Sequence, residues 1–160
     1  MRSGGEMAMI RSFVYGVLNT NAYLVWQDAD AVLVDPPDDT AEVEKVMTEN
    51  GLTLKALLCT HLHFDHVTGC AAWQKKTGLP VLAGQQDIDN REVLCDGAKN
   101  FNLTISDFRV QPLQSDEALR AAIADRLLTL PDHTKVYPGH RESTTIGEEN
   151  AWGTLYRSLN

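Results

Sequence analysis

The chain has 160 residues, 43% of them hydrophobic and 22% charged, with 14 basic against 22 acidic side chains and a formal charge of −8. That length suits one domain over 1–160, with a short polar start expected to be disordered over 1–8, and the acidic balance excludes nucleic acid and anionic lipid as natural partners. The three cysteines, Cys59, Cys70 and Cys95, form no C-x-x-C pair and read as reduced, mostly buried thiols; with no secretory or bilayer-length apolar run, a cytoplasmic location is expected.

In chain order, the apolar or β-branched runs Ile10 to Tyr15, Ala22 to Trp26 and Ala31 to Val34 predict an antiparallel meander, punctuated by Asn19-Thr20-Asn21 and Asp28-Ala29-Asp30. Asp38, Asp39 or Thr40 can cap a helix over Ala41 to Glu49, with Val43, Val46 and Met47 on its apolar face and Asn50-Gly51 as its stop. Leu54 to Cys59 reads as a strand covered on both faces. A helix over Cys70 to Thr77, a strand over Pro80 to Ala83 and a helix over Ile88 to Cys95 continue an alternating α/β pattern. A strand over Thr104 to Val110 and an amphipathic helix from Asp116 to about Leu130 come next. The strand Lys135 to Tyr137, the turn Pro138-Gly139-His140 and a last helix capped by Thr144 or Thr145 close the chain.

The chemistry is concentrated in Thr60-His61-Leu62-His63-Phe64-Asp65-His66, which holds three of the five histidines and an aspartate directly after a buried strand. Imidazole nitrogens and a carboxylate are the ligand set of zinc, iron or manganese, and residues staggered along a turn can serve one or two neighbouring ions. Asp65 can also orient a polarised water. A lone histidine is more often structural, but four ligand-type residues in six positions favour metal. Cys70 in its apolar helix reads as core, and Asp107, Asp116 and Asp132 as strand-edge, cap and turn residues.

The segment from Thr60 to Gly69 resembles the H-x-H-x-D-H signature of the metallo-β-lactamase superfamily. Asn21-Ala22-Tyr23-Leu24-Val25, Val32-Leu33-Val34-Asp35-Pro36 and Thr134-Lys135-Val136-Tyr137-Pro138-Gly139-His140 are similar to parts of its small glyoxalase II-like (hydroxyacylglutathione hydrolase-like) subgroup. The resemblance implies an α/β fold, a metallo-β-lactamase-like αββα sandwich. It implies a first metal on His61 and His63 and a second on Asp65, His66 and His140. It also implies a further histidine and a bridging aspartate between the first and last motifs. Neither is recognisable, and His133, the one histidine between His66 and His140, reads as part of a polar turn. The sandwich is therefore expected to be shortened in its second half, with the junction near Gln114-Ser115.

The activity implied by the resemblance is that of a metal-dependent hydrolase cleaving a thioester such as an S-acylglutathione by a metal-bound hydroxide, with Asp65 catalytic and zinc the expected ion, one or two per chain. Iron and manganese are the alternatives. Asp65, His66 and His140 also make a two-histidine, one-carboxylate set. The competing readings are accordingly a mononuclear iron enzyme like the persulfide dioxygenases, and a shortened metal-binding relative without turnover. The expected partner is a small thioester, with no nucleic acid and no membrane. Apolar edges left by missing strands make a homodimer the expected assembly.

Overall fold

A computed structural model of the chain describes residues 8–113, 135–136 and 144–145. The chain divides into two compact units, Met1–Pro112 and Leu113–Asn160. The first is built on a mixed six-stranded sheet in the order β1-β2-β3-β4-β5-β6. Strands β1 (Met9–Tyr15), β2 (Thr20–Gln27) and β3 (Asp30–Val34) form the predicted antiparallel meander. Its corners are turned by Asn19 and Asp28 at φ 52° and 56°, residue types whose short polar side chains tolerate the left-handed region.

The helix α1 (Ala41–Glu49) returns the chain so that β4 (Thr53–Leu58) lies parallel to β3. Thr40 occupies the N-cap position without a side-chain cap bond; Asp39 Oδ1 instead accepts from the Ala41 amide at 3.0 Å. Val43 is the fully buried residue of its apolar face, and Gly51 at φ 63° lets the chain turn out of the helix as predicted. The both-face burial expected of β4 is not found. Leu54 and Leu57 are buried while Lys55 is exposed and paired with Asp30 at 3.3 Å. One face of this strand points into the core and the other is only partly covered.

After β4 come a four-residue helix α2 (Phe64–Val67), which no periodicity announces, and α3 (Cys70–Thr77), as predicted. Gly78 at φ 73° ends α3, and β5 (Val81–Ala83) pairs parallel with β4. The predicted helix over Ile88 to Cys95 is two short helices, α4 (Gln85–Asp89) and α5 (Arg91–Cys95), broken at Asn90, followed by a 3-10 turn over Asp96–Phe101. The predicted strand Thr104 to Val110 is also corrected. Only β6 (Val110–Pro112) is strand, parallel to β5, because Arg91 bonds the Phe108 carbonyl and stacks on the Phe108 ring at 4.0 Å, tying the preceding residues to α5 rather than to the sheet.

The core joins Phe13, Ala22, Leu24 and Leu33 of the sheet to Val43 of α1 and Trp73 of α3. In the second unit, β7 (Lys135–Val136) pairs antiparallel with β8 (Thr144–Thr145). Thr144 and Thr145, predicted as helix caps, are thus strand residues. The helices expected over Asp116 to Leu130 and after Thr145 lie outside the described residues, as do 1–7 and Gln114-Ser115. Among the described residues no helix is long and apolar enough to cross a membrane.

Candidate metal centre

The site forms at one end of the sheet. Strands β3 and β4 run parallel and end side by side, Val34 opposite Leu58, with the Asp35 amide bonding the Leu58 carbonyl at 2.8 Å. The loops leaving these two carboxyl ends therefore lie against each other, the usual place for a ligand in a parallel sheet. Asp35 follows β3; Thr60 and the histidine segment follow β4. Strand β2 runs the opposite way, so its first residue, Thr20, comes to the same end.

Asp35 is the hub of the two loops. It is 1% exposed and accepts from the Thr60 amide at 2.8 Å, from Thr60 Oγ1 at 2.7 Å and from His66 Nδ1 at 2.9 Å. Sequence pattern alone assigns Asp35 no role beyond the strand motif. The available signal is an aspartate directly after an apolar strand, where burial demands partners. Its φ of 48° aims the carboxylate back across the strand ends, a conformation Asp adopts more readily than most residues. Pro36 is fully buried behind it, and the Pro37 carbonyl accepts from Trp73 Nε1 at 2.9 Å. Gly69 abuts this turn so closely that a Cβ there would stand 2.1 Å from the Pro37 oxygen. The Pro36-Pro37 turn is thus clamped against the start of α3.

These partners set the histidine tautomers. His66, buried completely, donates Nδ1–H to Asp35, which leaves Nε2 as the acceptor. Thr60 Oγ1 spends its proton on Asp35 and lies 3.1 Å from His61 Nδ1; accepting there, it also leaves Nε2 of His61 as an acceptor. Burial, then the neighbouring His66 and His63, hold the His61 pKa below its usual value, so the neutral, ligating form is favoured. The rings cluster, with His61 4.6 Å from His63 and 4.0 Å from His66 between centroids.

Asp65, 5% exposed, receives the Thr20 hydroxyl on Oδ2 at 2.9 Å. The same Oδ2 lies 3.3 Å from His66 Nε2. Two acceptors so placed repel unless a cation or proton lies between them. Two ligands, each about 2.0–2.1 Å from a tetrahedral ion, stand about 3.3–3.4 Å apart. The pair therefore fits a metal. Among the described residues no three His, Cys, Asp or Glu side chains are arranged to hold one ion, so His61 and His63 lie beside the Asp65–His66 pair rather than converging with it. His140, His133, Asp116 and Asp132 lie outside the described residues. Asp107, read from the sequence as a strand-edge residue, precedes the strand instead and is a surface partner of Arg91 at 3.4 Å.

The loop is braced from outside as well. Its Leu62 amide donates to Asp87 at 3.4 Å, and its Leu62 carbonyl accepts from Cys95 Sγ at 3.4 Å. Cys70 is core, as predicted, with its Sγ 3.5 Å from that of Cys59. The phenol of Tyr15, buried and without a hydrogen-bond partner among the described residues, is pushed to a high pKa first by burial and then by the charges of Asp35, Cys70, Cys59 and Asp65.

Residues 15–92 match the family described as Metallo-beta-lactamase superfamily. The chain belongs to the metallo-β-lactamase superfamily. It is 23% identical over 196 residues to a probable metallo-hydrolase, YqgX, of Bacillus subtilis, covering 85% of this chain and 92% of that one. Since 85% of 160 residues is 136, 60 of those 196 aligned positions face gaps in this chain. The chain is thus a shortened version of the fold. It is 30% identical over 126 residues to hydroxyacylglutathione hydrolase GloC of Haemophilus influenzae, covering 75% of this chain and 58% of GloC. The crystal structure of TTHA1623 in a di-iron-bound form superposes with a TM-score of 0.63 at 28% identity, over 88% of this chain and 96% of that one. This superfamily generally binds metal ions.

Proposed function

We propose that the protein is a metal-dependent thioester hydrolase acting on an S-acylglutathione, with zinc as its ion. The observation that carries this reading is the 3.3 Å approach of His66 Nε2 to Asp65 Oδ2, each held in that orientation by a second buried group. The similarity to GloC supports the thioester, and the similarity to YqgX supports hydrolysis in general.

Asp65 and His66 would hold the ion, with His61 and His63 beside them. When bound, it supplies Lewis acidity, polarising the thioester carbonyl and making a water more acidic. The chain's own groups do the positioning. Asp35 fixes the His66 ring, and Thr20 fixes the Asp65 carboxylate. Asp65 accepts a hydrogen bond from the attacking water and so aims it at the carbonyl carbon. Addition of that water and loss of the thiol give a carboxylate and free glutathione.

The test is metal content per chain, measured by elemental mass spectrometry on protein purified without chelators, together with hydrolysis of S-lactoylglutathione. Near-stoichiometric metal, with turnover abolished in His61→Ala and Asp65→Ala, is expected. Protein that binds no zinc, iron or manganese, or that binds metal and leaves the thioester intact, overturns the proposal. Iron with oxygen uptake on glutathione persulfide would transfer the site to dioxygenase chemistry.

A further inference from the structure

All the metal-ligand candidates of the described residues lie between two cysteines that touch. Cys59 follows β4 directly and Cys70 opens α3; between them the chain runs out through His61 and His63, turns through α2 and comes back. The two sulfurs are 3.5 Å apart, and Cys59 Sγ also lies 3.8 Å from the His66 carbonyl. Both residues are buried, at 5% and 0% exposure. Cys95, the third cysteine, bonds the Leu62 carbonyl instead.

We propose that Cys59 and Cys70 are a redox-active pair whose disulfide closes residues 59–70 into a ring carrying His61, His63, Asp65 and His66. A disulfide bond is about 2.05 Å long, so the sulfurs need to close by about 1.5 Å, which side-chain rotation and a small backbone shift supply. The reaction is exchange with a small-molecule disulfide. Cys59 attacks one sulfur of that disulfide and releases its first thiol, which takes the Cys59 proton. Cys70 then displaces the second thiol, which takes the Cys70 proton, and the Cys59–Cys70 bond forms. The small disulfide is reduced to two thiols as the pair is oxidised. Among intracellular proteins such bonds serve mainly as transient or sensing devices. Here the bond would lock the ligand-bearing segment at both ends, whatever reaction the site performs.

The full-length chain, purified reduced, is equilibrated in buffers of stepped ratio of oxidised to reduced dithiothreitol, both native and in urea. Each sample is acid-quenched, alkylated and mapped by non-reducing peptide mass spectrometry. The expected result is a single two-electron transition in which the native chain loses two hydrogens, Cys59 and Cys70 become linked and Cys95 remains alkylatable. The native equilibrium constant should exceed that in urea by about tenfold or more, because the fold holds the sulfurs together. Cys95→Ala should keep the link. Three alkylated cysteines in the most oxidising buffer, a link that includes Cys95, or a native constant no larger than in urea would overturn the proposal.

Discussion

Removing the Asp35 carboxylate tests the account of how the site is held. Asp35→Ala leaves the Thr60 amide, the Thr60 hydroxyl and His66 Nδ1–H without their acceptor at a position 1% exposed. An unsatisfied buried donor costs about 1–3 kcal/mol, and the Thr60 hydroxyl recovers part of its share by rotating. Alanine is also less tolerant than aspartate of the φ of 48° found there. The sum is about 3–5 kcal/mol of lost stability. Asp35→Asn separates stability from chemistry. Its carbonyl can still accept from the Thr60 amide, and its shape and turn conformation are kept, so the cost falls to about 1–2 kcal/mol. Its NH2 group, however, faces His66 Nδ1, and the bond is remade only if that nitrogen becomes the acceptor. The proton then moves to Nε2, the atom that faces Asp65. Loss of such a supporting partner lowers metal affinity by about 10–100-fold. Urea denaturation with a chelator present gives the stabilities, competition against a chromophoric chelator gives the affinities, and nitrogen NMR of His66 gives the tautomer. Asp35→Ala within about 0.5 kcal/mol of wild type, or Asp35→Asn binding metal as tightly as wild type, would refute the reasoning.

Gly69→Ala places a methyl 2.1 Å from the Pro37 oxygen and 2.4 Å from that of Pro36, both backbone atoms. A loss of about 2–3 kcal/mol is expected on urea denaturation, and an unchanged midpoint would sink the close-approach account. Thr20→Val removes the donor to buried Asp65 and should cost about 1–2 kcal/mol, with Thr20→Ser restoring most of it; a serine variant as unstable as the valine one would assign the loss to packing instead. His61 in the metal-free chain should titrate below the ordinary histidine value, since burial and two neighbouring imidazoles disfavour its charge. The unfolded chain then takes up that proton first as pH falls. The stability contributed by neutral His61 is thus full above about pH 6.5 and lost as pH falls through the folded-state pKa. Proton NMR of the ring is the check, and a midpoint at or above the ordinary value contradicts it.

The meander and α1 are legible because an apolar pattern is paired with a turn or stop residue at its edge, Asn19, Asp28 and Gly51; β4 is legible as an apolar run, although its burial is one-sided. The failures share a physical cause. From Ile88 to Val110 the structure is decided by contacts between residues far apart, such as Arg91 with Phe108 and Arg109 with Gln74, which local periodicity does not contain. Of the site, the histidine segment is legible by composition alone. Its supports are not, because Thr20 and Asp35 reach it only through strand pairing, 45 and 31 residues away along the chain from their partners Asp65 and His66. The helix α2 escapes because four residues are too few to show a period.

The supports of the candidate ligands are local to the first unit. Each contact described for the ligand segment comes from the first unit: Thr20 to Asp65, Asp35 to Thr60 and His66, Asp87 and Cys95 to Leu62, and the Pro37 turn against Gly69. These groups sit at strand ends and on the short helices beside them, within the first unit. A deletion elsewhere can remove donors without loosening them. Orientation and donor count are thus separable here, and they have different consequences: orientation sets whether Asp65 and His66 present a matched pair to a cation, while donor count sets whether one ion or two is retained. The Asp35→Asn affinity reads the first of these quantities, and the metal content per chain reads the second.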